Sequence, residues 1–466
     1  MLVAGRVARG RLRRGAGQGL VRVGFGFIVR RVQASAIQAS IRDDWVVALA
    51  AHRDAVASAR RGSPRWCGGR LMEIGAIVCA AGVPVSLALM NIGFVAMLAG
   101  ALLARAPLWR MPGFIAGCAL SAWMLLSVIA TMALGRDDDP AKGFALGYVW
   151  LAPSLVAFAV QRPRIRPWIV QVLAFGMLCA AVLAATQFCL GWDHRQKPWR
   201  IDAGDGLRWE RGSGFFASGL TLGGVAAIVG LTLRGERGHR RWRHAGIAGA
   251  ALALVVSRSR MAWLSVFAGW CVATAIARRW RRLALAVLVL PGIAVAALFA
   301  FKPDALKATA RGEDGRWVIW STSATLIADH PLIGCGGRAA FNRKYRERWR
   351  DRYGDGAGLF VVEPSVEHAH NSLLAVAAEH GVPATALHVA WWCSMILAAW
   401  RRRRAASDAW ETFAAIAIAV LVAGLFNNIA GQGEYGHALG LGLGLAWASL
   451  GGTAIAATVL AAQQDQ

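Results

Sequence analysis

Residues 168–190, WIVQVLAFGMLCAAVLAATQFCL, run for 23 positions without a charged side chain. A helix of that length reaches about 34 Å, enough to cross a hydrocarbon core of roughly 30 Å. Arg162, Arg164 and Arg166 precede the run, and the stretch that follows, Trp192–Gly212, is of mixed charge. An apolar span with its cations on one flank is therefore the unit from which the chain is read.

Comparable runs recur at approximately 73–90, 91–104, 113–134, 143–160, 214–233, 244–257, 261–277, 283–301, 373–400, 410–426 and 437–461, which makes twelve in all. With the N-terminus inside, Arg105 and Arg110, Arg162 to Arg166, Arg234 to Arg243, Arg278 to Arg282 and Arg401 to Arg404 all fall in inner loops. Opposite loops such as Asp137–Asp139 are acidic or mixed, the asymmetry that sets membrane topology. The pattern predicts an all-α fold, a polytopic membrane helix bundle of about 12 transmembrane helices with both ends inside.

Composition agrees. The 466 residues are 56% hydrophobic and only 17% charged, unlike an average soluble domain. A net charge of +26 would suit a nucleic-acid partner, but the cations collect in short loops between apolar runs, as membrane topology requires, and no basic patch of the RNA-binding kind appears. Eight cysteines are scattered singly, with no C-x-x-C and no metal-ligand spacing.

Residues 1–71 stand apart, with 14 Arg against three Asp and no spanning run. They are expected to form a basic disordered tail, or to result from a mis-assigned start with the true one at Met72. Residues 72–301 then hold spans one to nine, 302–372 a large outer loop, and 373–466 spans ten to twelve. Inside the loop, Arg316–Ala328 has amphipathic spacing with Trp317, Trp320, Ala324 and Ile327 near one side. A basic helix is expected over Ala339–Tyr353, with Arg343 and Glu347 at i, i+4.

Two stretches carry reactive groups. The hairpin Ala245–Ala277 is interrupted only by Ser257-Arg258-Ser259-Arg260. Each arm covers only about 22 Å, so the arginines sit below the outer membrane surface. Charges at that depth ordinarily face a polar cavity and a partner. A guanidinium there suits phosphate, which it grips with two parallel hydrogen bonds. Arg316 and Arg211 lie on the same side.

The second stretch is EPSVEHAHNSLL, Glu363–Leu374. His370 can act as general base or acid at neutral pH. Glu363 and Glu367 can raise its basicity, Asn371 can orient it or a sugar hydroxyl, and His368 reads as a support. Residues i and i+2 of a helix point apart and no third ligand is evident, so no metal is expected. His388 and His437 read as packing residues. Gly436, Gly440, Gly442 and Gly444 read as close helix contacts rather than a nucleotide loop. With no Walker motif, nucleotide-sugar transfer and ATP-driven pumping are disfavoured.

Four stretches together resemble the O-antigen ligase/polymerase family of bacterial membrane glycosyltransferases. They are HAHNSLLAVAAEHGVPA (His368–Ala384), VSRSRMAWL (Val256–Leu264), GRWVIWSTSATLIADHPLIGCG (Gly315–Gly336) and RGSGFFASGLTLGG (Arg211–Gly224). Cys335 and Gly219 depart from the usual pattern, at positions that carry no reactive group.

The resemblance implies a transferase without metal or cofactor, in the bacterial inner membrane, with the large loop and active site in the periplasm. Its donor would be an undecaprenyl-diphosphate-linked glycan. Arg260, Arg316 and His370 would be catalytic, and Arg211, Arg258, Glu367, Asn371 and His368 would bind substrate. The acceptor would be lipid A–core for a ligase, a glycan repeat for a polymerase, or a protein hydroxyl. A lipid-linked sugar transporter is the competing class, although no internal repeat is evident.

Overall fold

The computed structural model describes residues 64–135, 147–161, 164–190, 213–216, 218–278, 315–353, 368–428 and 433–452. The described residues from Cys67 onward belong to one compact unit. Of the tail expected over 1–71, residues 1–63 lie outside the described residues, as does the span expected at 283–301, while residues 64–71 are helical.

Every regular element among the described residues is helical. In chain order these are α1 Pro64–Gly82, α2 Leu87–Leu103, α3 Phe114–Ala133, α4 Ala152–Ala159 and α5 Arg166–Leu190. There follow α6 Gly219–Gly235, α7 Arg240–Ser257, α8 Arg260–Ile276, α9 Gly315–Asp329 and α10 Arg338–Tyr353. The last four are α11 Ser372–His380, α12 Val382–Arg402, α13 Ser407–Phe426 and α14 Gly433–Trp447. Four of these, α3, α5, α12 and α13, are long and apolar enough to cross a membrane.

Two expected boundaries move. The break placed at residue 90 falls between Gly82 and Leu87, where Pro84 cannot continue a helix and Ser86 caps α2 by accepting from Leu89 N at 3.4 Å. The run expected as one span, 373–400, is two helices. Gly381, at φ +88°, breaks it, and a Cβ there would collide with the backbone oxygen of Leu332.

Small residues set the packing. Gly436, Gly440 and Gly444 of α14 lie against Val149, Ala152 and Val156, and Gly442 faces Thr232 of α6. Side chains at these positions would push the helices apart.

Ion pairs gather at the Arg-rich end. Arg166, opening α5, donates twice to Glu236 just beyond α6, both at 2.8 Å, and again to Ser449. Arg234 donates to Glu411 at 2.6 Å, Arg237 pairs with Asp408, and Arg402 lies 4.6 Å from the Trp447 ring centroid. The loops that the charge asymmetry groups together thus meet in space.

Helix directions follow from these contacts. The Arg234–Glu411 pair joins the C-terminal end of α6 to the N-terminal end of α13, so the two run oppositely. Gly223 of α6 meets Ser259 and Ala262, while Leu231 meets Gly269, so α8 runs parallel to α6. The start of α8 therefore shares an end of the bundle with the start of α6 and the end of α13, remote from the ion pairs.

Candidate functional site

The hairpin turn between α7 and α8 alternates in burial. Ser257 and Ser259 are buried, whereas Arg258 and Arg260 are exposed. The serines build the turn. Ser257 Oγ donates to Leu254 O at 2.9 Å, and Ser259 Oγ caps α8 by accepting from Ala262 N at 3.3 Å. Arg258 takes the left-handed conformation at φ +49°, which lets the chain reverse in so few residues. Gly223 presses on the turn, where a Cβ would come within 2.8 Å of Ser257 Oγ. Both guanidiniums are thus presented from a turn whose backbone is fixed by other groups.

The histidine segment is held differently. Asn371 caps α11, its Oδ1 accepting from Leu373 N at 3.0 Å and Leu374 N at 3.1 Å. Its Nδ2 donates to Leu425 O at 3.1 Å, and Ser372 Oγ donates to Asn427 O at 3.0 Å. Both ends of the Asn371 amide thereby hold backbone, and the side chain pins the segment to the end of α13.

Between the histidines, Ala369 is fully buried in a small core with Ile319, Leu326, Phe341, Tyr345 and Ala378. His368 is buried and His370 half-buried. His370 sits at φ +48°, its N–H donating to His368 Nδ1 at 3.3 Å, and the rings meet edge-on with centroids 4.4 Å apart. That hydrogen bond occupies the Nδ1 lone pair of His368, so His368 serves as a support for its neighbour.

In the loop helix α9, Trp320 and Ile327 of the expected face pack against the small core, where Ile319, Thr322, Ser323 and Leu326 are also buried, while Ala324 is exposed. Ser323 can fold inward because its hydroxyl donates to Ile319 O at 2.6 Å. Arg316 occupies the second position of this helix. Arg211, Glu363 and Glu367 lie outside the described residues.

A clamp that the residue pattern does not reveal joins two of the quoted motifs. The segment Pro331–Gly336 lies along the break between α11 and α12. Cys335 N donates to Ala378 O at 2.8 Å, Gly336 N to Glu379 O at 3.3 Å, and Val382 N to Pro331 O at 2.8 Å. Gly334, at φ +71°, lies against the backbone of Glu379 too closely for any side chain.

From the other side, Trp123 of α3 donates to His380 O at 3.1 Å. Ser127 Oγ already donates to Met124 O at 2.9 Å, so it receives its contact with His380 Nδ1, at 2.8 Å, from the imidazole N–H. Glu379 and His380 are both buried. The signal available in sequence was a Glu-His pair placed immediately before Gly-Val-Pro inside an apolar run.

The two presented groups share one end of the bundle. The turn bearing Arg258 and Arg260 adjoins the start of α6, whose Leu220 O accepts from Tyr435 OH at 3.2 Å. The histidine segment is tied to Leu425 and Asn427 at the end of α13. Among the described residues, no group of three His, Cys, Asp or Glu side chains could hold a metal ion.

Residues 245–389, from α7 into the start of α12, match the family model described as O-Antigen ligase. The chain carries an O-antigen ligase domain. That domain contains both the arginine turn and the histidine segment, together with the clamp, and the match supports the resemblance to membrane glycosyltransferases of the O-antigen ligase/polymerase type. No curated protein matches the sequence.

Proposed function

We propose that this protein is an O-antigen ligase, moving a glycan from undecaprenyl diphosphate to a hydroxyl of lipid A–core on the periplasmic face of the bacterial inner membrane. The observation that carries this is that exposed Arg258 and Arg260 lie at the same end of the bundle as the His368–His370 segment, inside the ligase domain. The Arg-rich end with its ion pairs is then cytoplasmic, and the full chain has twelve spans.

In this mechanism Arg260 and Arg316, with Arg211 and Arg258, grip the donor diphosphate. They stabilise the charge that grows on it as the sugar–phosphate bond breaks, an effect worth about 3 kcal/mol per well-placed donor. His370 takes the proton from the acceptor hydroxyl as that oxygen attacks the anomeric carbon with inversion. The new glycosidic bond forms as polyprenyl diphosphate leaves. Glu367 raises the basicity of His370, and His368 holds its backbone. No metal or cofactor takes part.

Purified protein supplied with a diphosphate-linked glycan tests the chemistry. Released polyprenyl diphosphate supports transfer, whereas unchanged donor moved across a bilayer would make the protein a transporter. Deletion followed by inspection of lipopolysaccharide tests the acceptor. Core without O chain, with accumulated polymer, is the ligase result. Single-repeat caps mean a polymerase, and intact lipopolysaccharide with unglycosylated protein means a protein O-oligosaccharyltransferase.

A further inference from the structure

Helix α10, RAAFNRKYRERWRDRY, holds seven cations against two carboxylates, and the mechanism above uses none of them. Its inner side is apolar, with Ala340, Phe341 and Tyr345 buried. Its outer side shows Arg346, Arg348 and Arg350, with Glu347 and Asp351 among them. Lys344 Nζ donates to His330 Nε2 at 2.7 Å, and Arg348 pairs with Asp329, so part of this charge also fixes the helix to the end of α9. Taken with Asp329, the helix as a whole keeps a formal charge of +4.

The level of this helix in the bilayer is marked by a second feature. Leu332 is 68% exposed and Val382 49% exposed. They adjoin through the Val382 N–H to Pro331 O bond and the close approach of Gly381 to Leu332. Val382 begins α12, a candidate membrane span, so this apolar tip lies where hydrocarbon gives way to headgroups. Only five residues separate Leu332 from the start of α10. An apolar wedge beside a basic helix face is the pattern of a segment lying in the interface of an anionic bilayer.

We infer that α10 and the Leu332–Val382 tip form a contact surface for anionic phospholipid headgroups. Because Phe341 and Tyr345 share a core with Ala369, this contact seats the histidine segment at the membrane surface. The inference rests on the membrane reading of the apolar helices. It does not depend on the transfer chemistry and is measured without substrate.

The test uses the full chain in nanodiscs of phosphatidylcholine, or of phosphatidylcholine mixed with phosphatidylglycerol. Hydrogen exchange is followed at the amides of residues 338–353. Exchange should be several-fold slower with phosphatidylglycerol and the difference should vanish in high salt. Arg346→Gln and Arg350→Gln should each lower the protection ratio by up to roughly fivefold. Leu332→Ser should weaken protection in both kinds of disc. Equal exchange in the two lipids would overturn the proposal. So would protection that appears only on adding a phosphate-bearing glycolipid, which would make α10 a substrate contact instead.

Discussion

The two ends of the bundle use arginine for opposite purposes. At one end Arg166, Arg234 and Arg237 each meet a carboxylate on a neighbouring element, so the guanidiniums act as fasteners between helices. At the other, Ser257 and Ser259 build the turn and leave Arg258 and Arg260 exposed. In the proposed mechanism these exposed arginines serve the donor diphosphate. Substitution should therefore damage stability at the first end and transfer at the second.

The sharpest test is His370→Ala, which should lower the rate of polyprenyl diphosphate release by roughly 10²–10⁴-fold with normal protein levels. Undiminished release would remove His370 from the mechanism. Next comes Arg260→Ala, with an expected loss of about 10²-fold or more and little change in melting temperature. Arg260→Lys should recover only part of the rate, because a point charge does not reproduce the two-pronged grip.

Gly381→Ala should destabilise the protein by about 3 kcal/mol or more, from φ strain and collision with Leu332. Exchange at the amides of 331–336 should rise with it; a fully protected clamp in this variant would refute the geometry. At the ion-paired end, Arg166→Ala leaves Glu236 buried without its bidentate partner. The expected cost is about 2 kcal/mol, reduced by the partial exposure of Arg166, read as a lower melting temperature with normal transfer per folded molecule. A specific loss of transfer here would break the contrast between the ends. The smallest effect is Asn371→Ala, about 1 kcal/mol from the lost cap. If its activity falls far more than its stability, Asn371 has a chemical role beyond capping.

Hydropathy made several helices legible because it is a local property. The run 168–190 is α5, Arg166–Leu190, and 410–426 is α13, Ser407–Phe426, each within a few residues. Turns within apolar stretches were harder to place, since Pro84 and Gly381 compete with long hydrophobic surroundings. At α9 Trp320 and Ile327 pack as amphipathic spacing predicts, but Ala324 faces out and Ser323 enters the core instead, its hydroxyl satisfied within the helix. The turn arginines and the histidine pair stood out by being charged or titratable in an apolar chain. The clamp left a fainter trace. It is made of backbone hydrogen bonds between segments far apart in sequence, so its marks are Pro331, Gly334, Gly336, Gly381 and the Glu379-His380 pair beside them. Asn371 shows a different limit, because an amide before a helix reads equally as cap or as chemistry until its partners are seen.

The clamp also bears on biogenesis. Pro331–Gly336 leaves the ribosome before Ala378–Val382, the strip of backbone on which it rests. It must therefore wait, its amides satisfied only by water, until the next apolar stretch has been delivered to the bilayer. The small core around Ala369 closes at that same moment, since Ala375 and Ala378 come from that stretch. Maturation of the histidine segment is thus a late event in assembly, and a chain halted before residue 378 would hold the earlier helices without the closed core around Ala369.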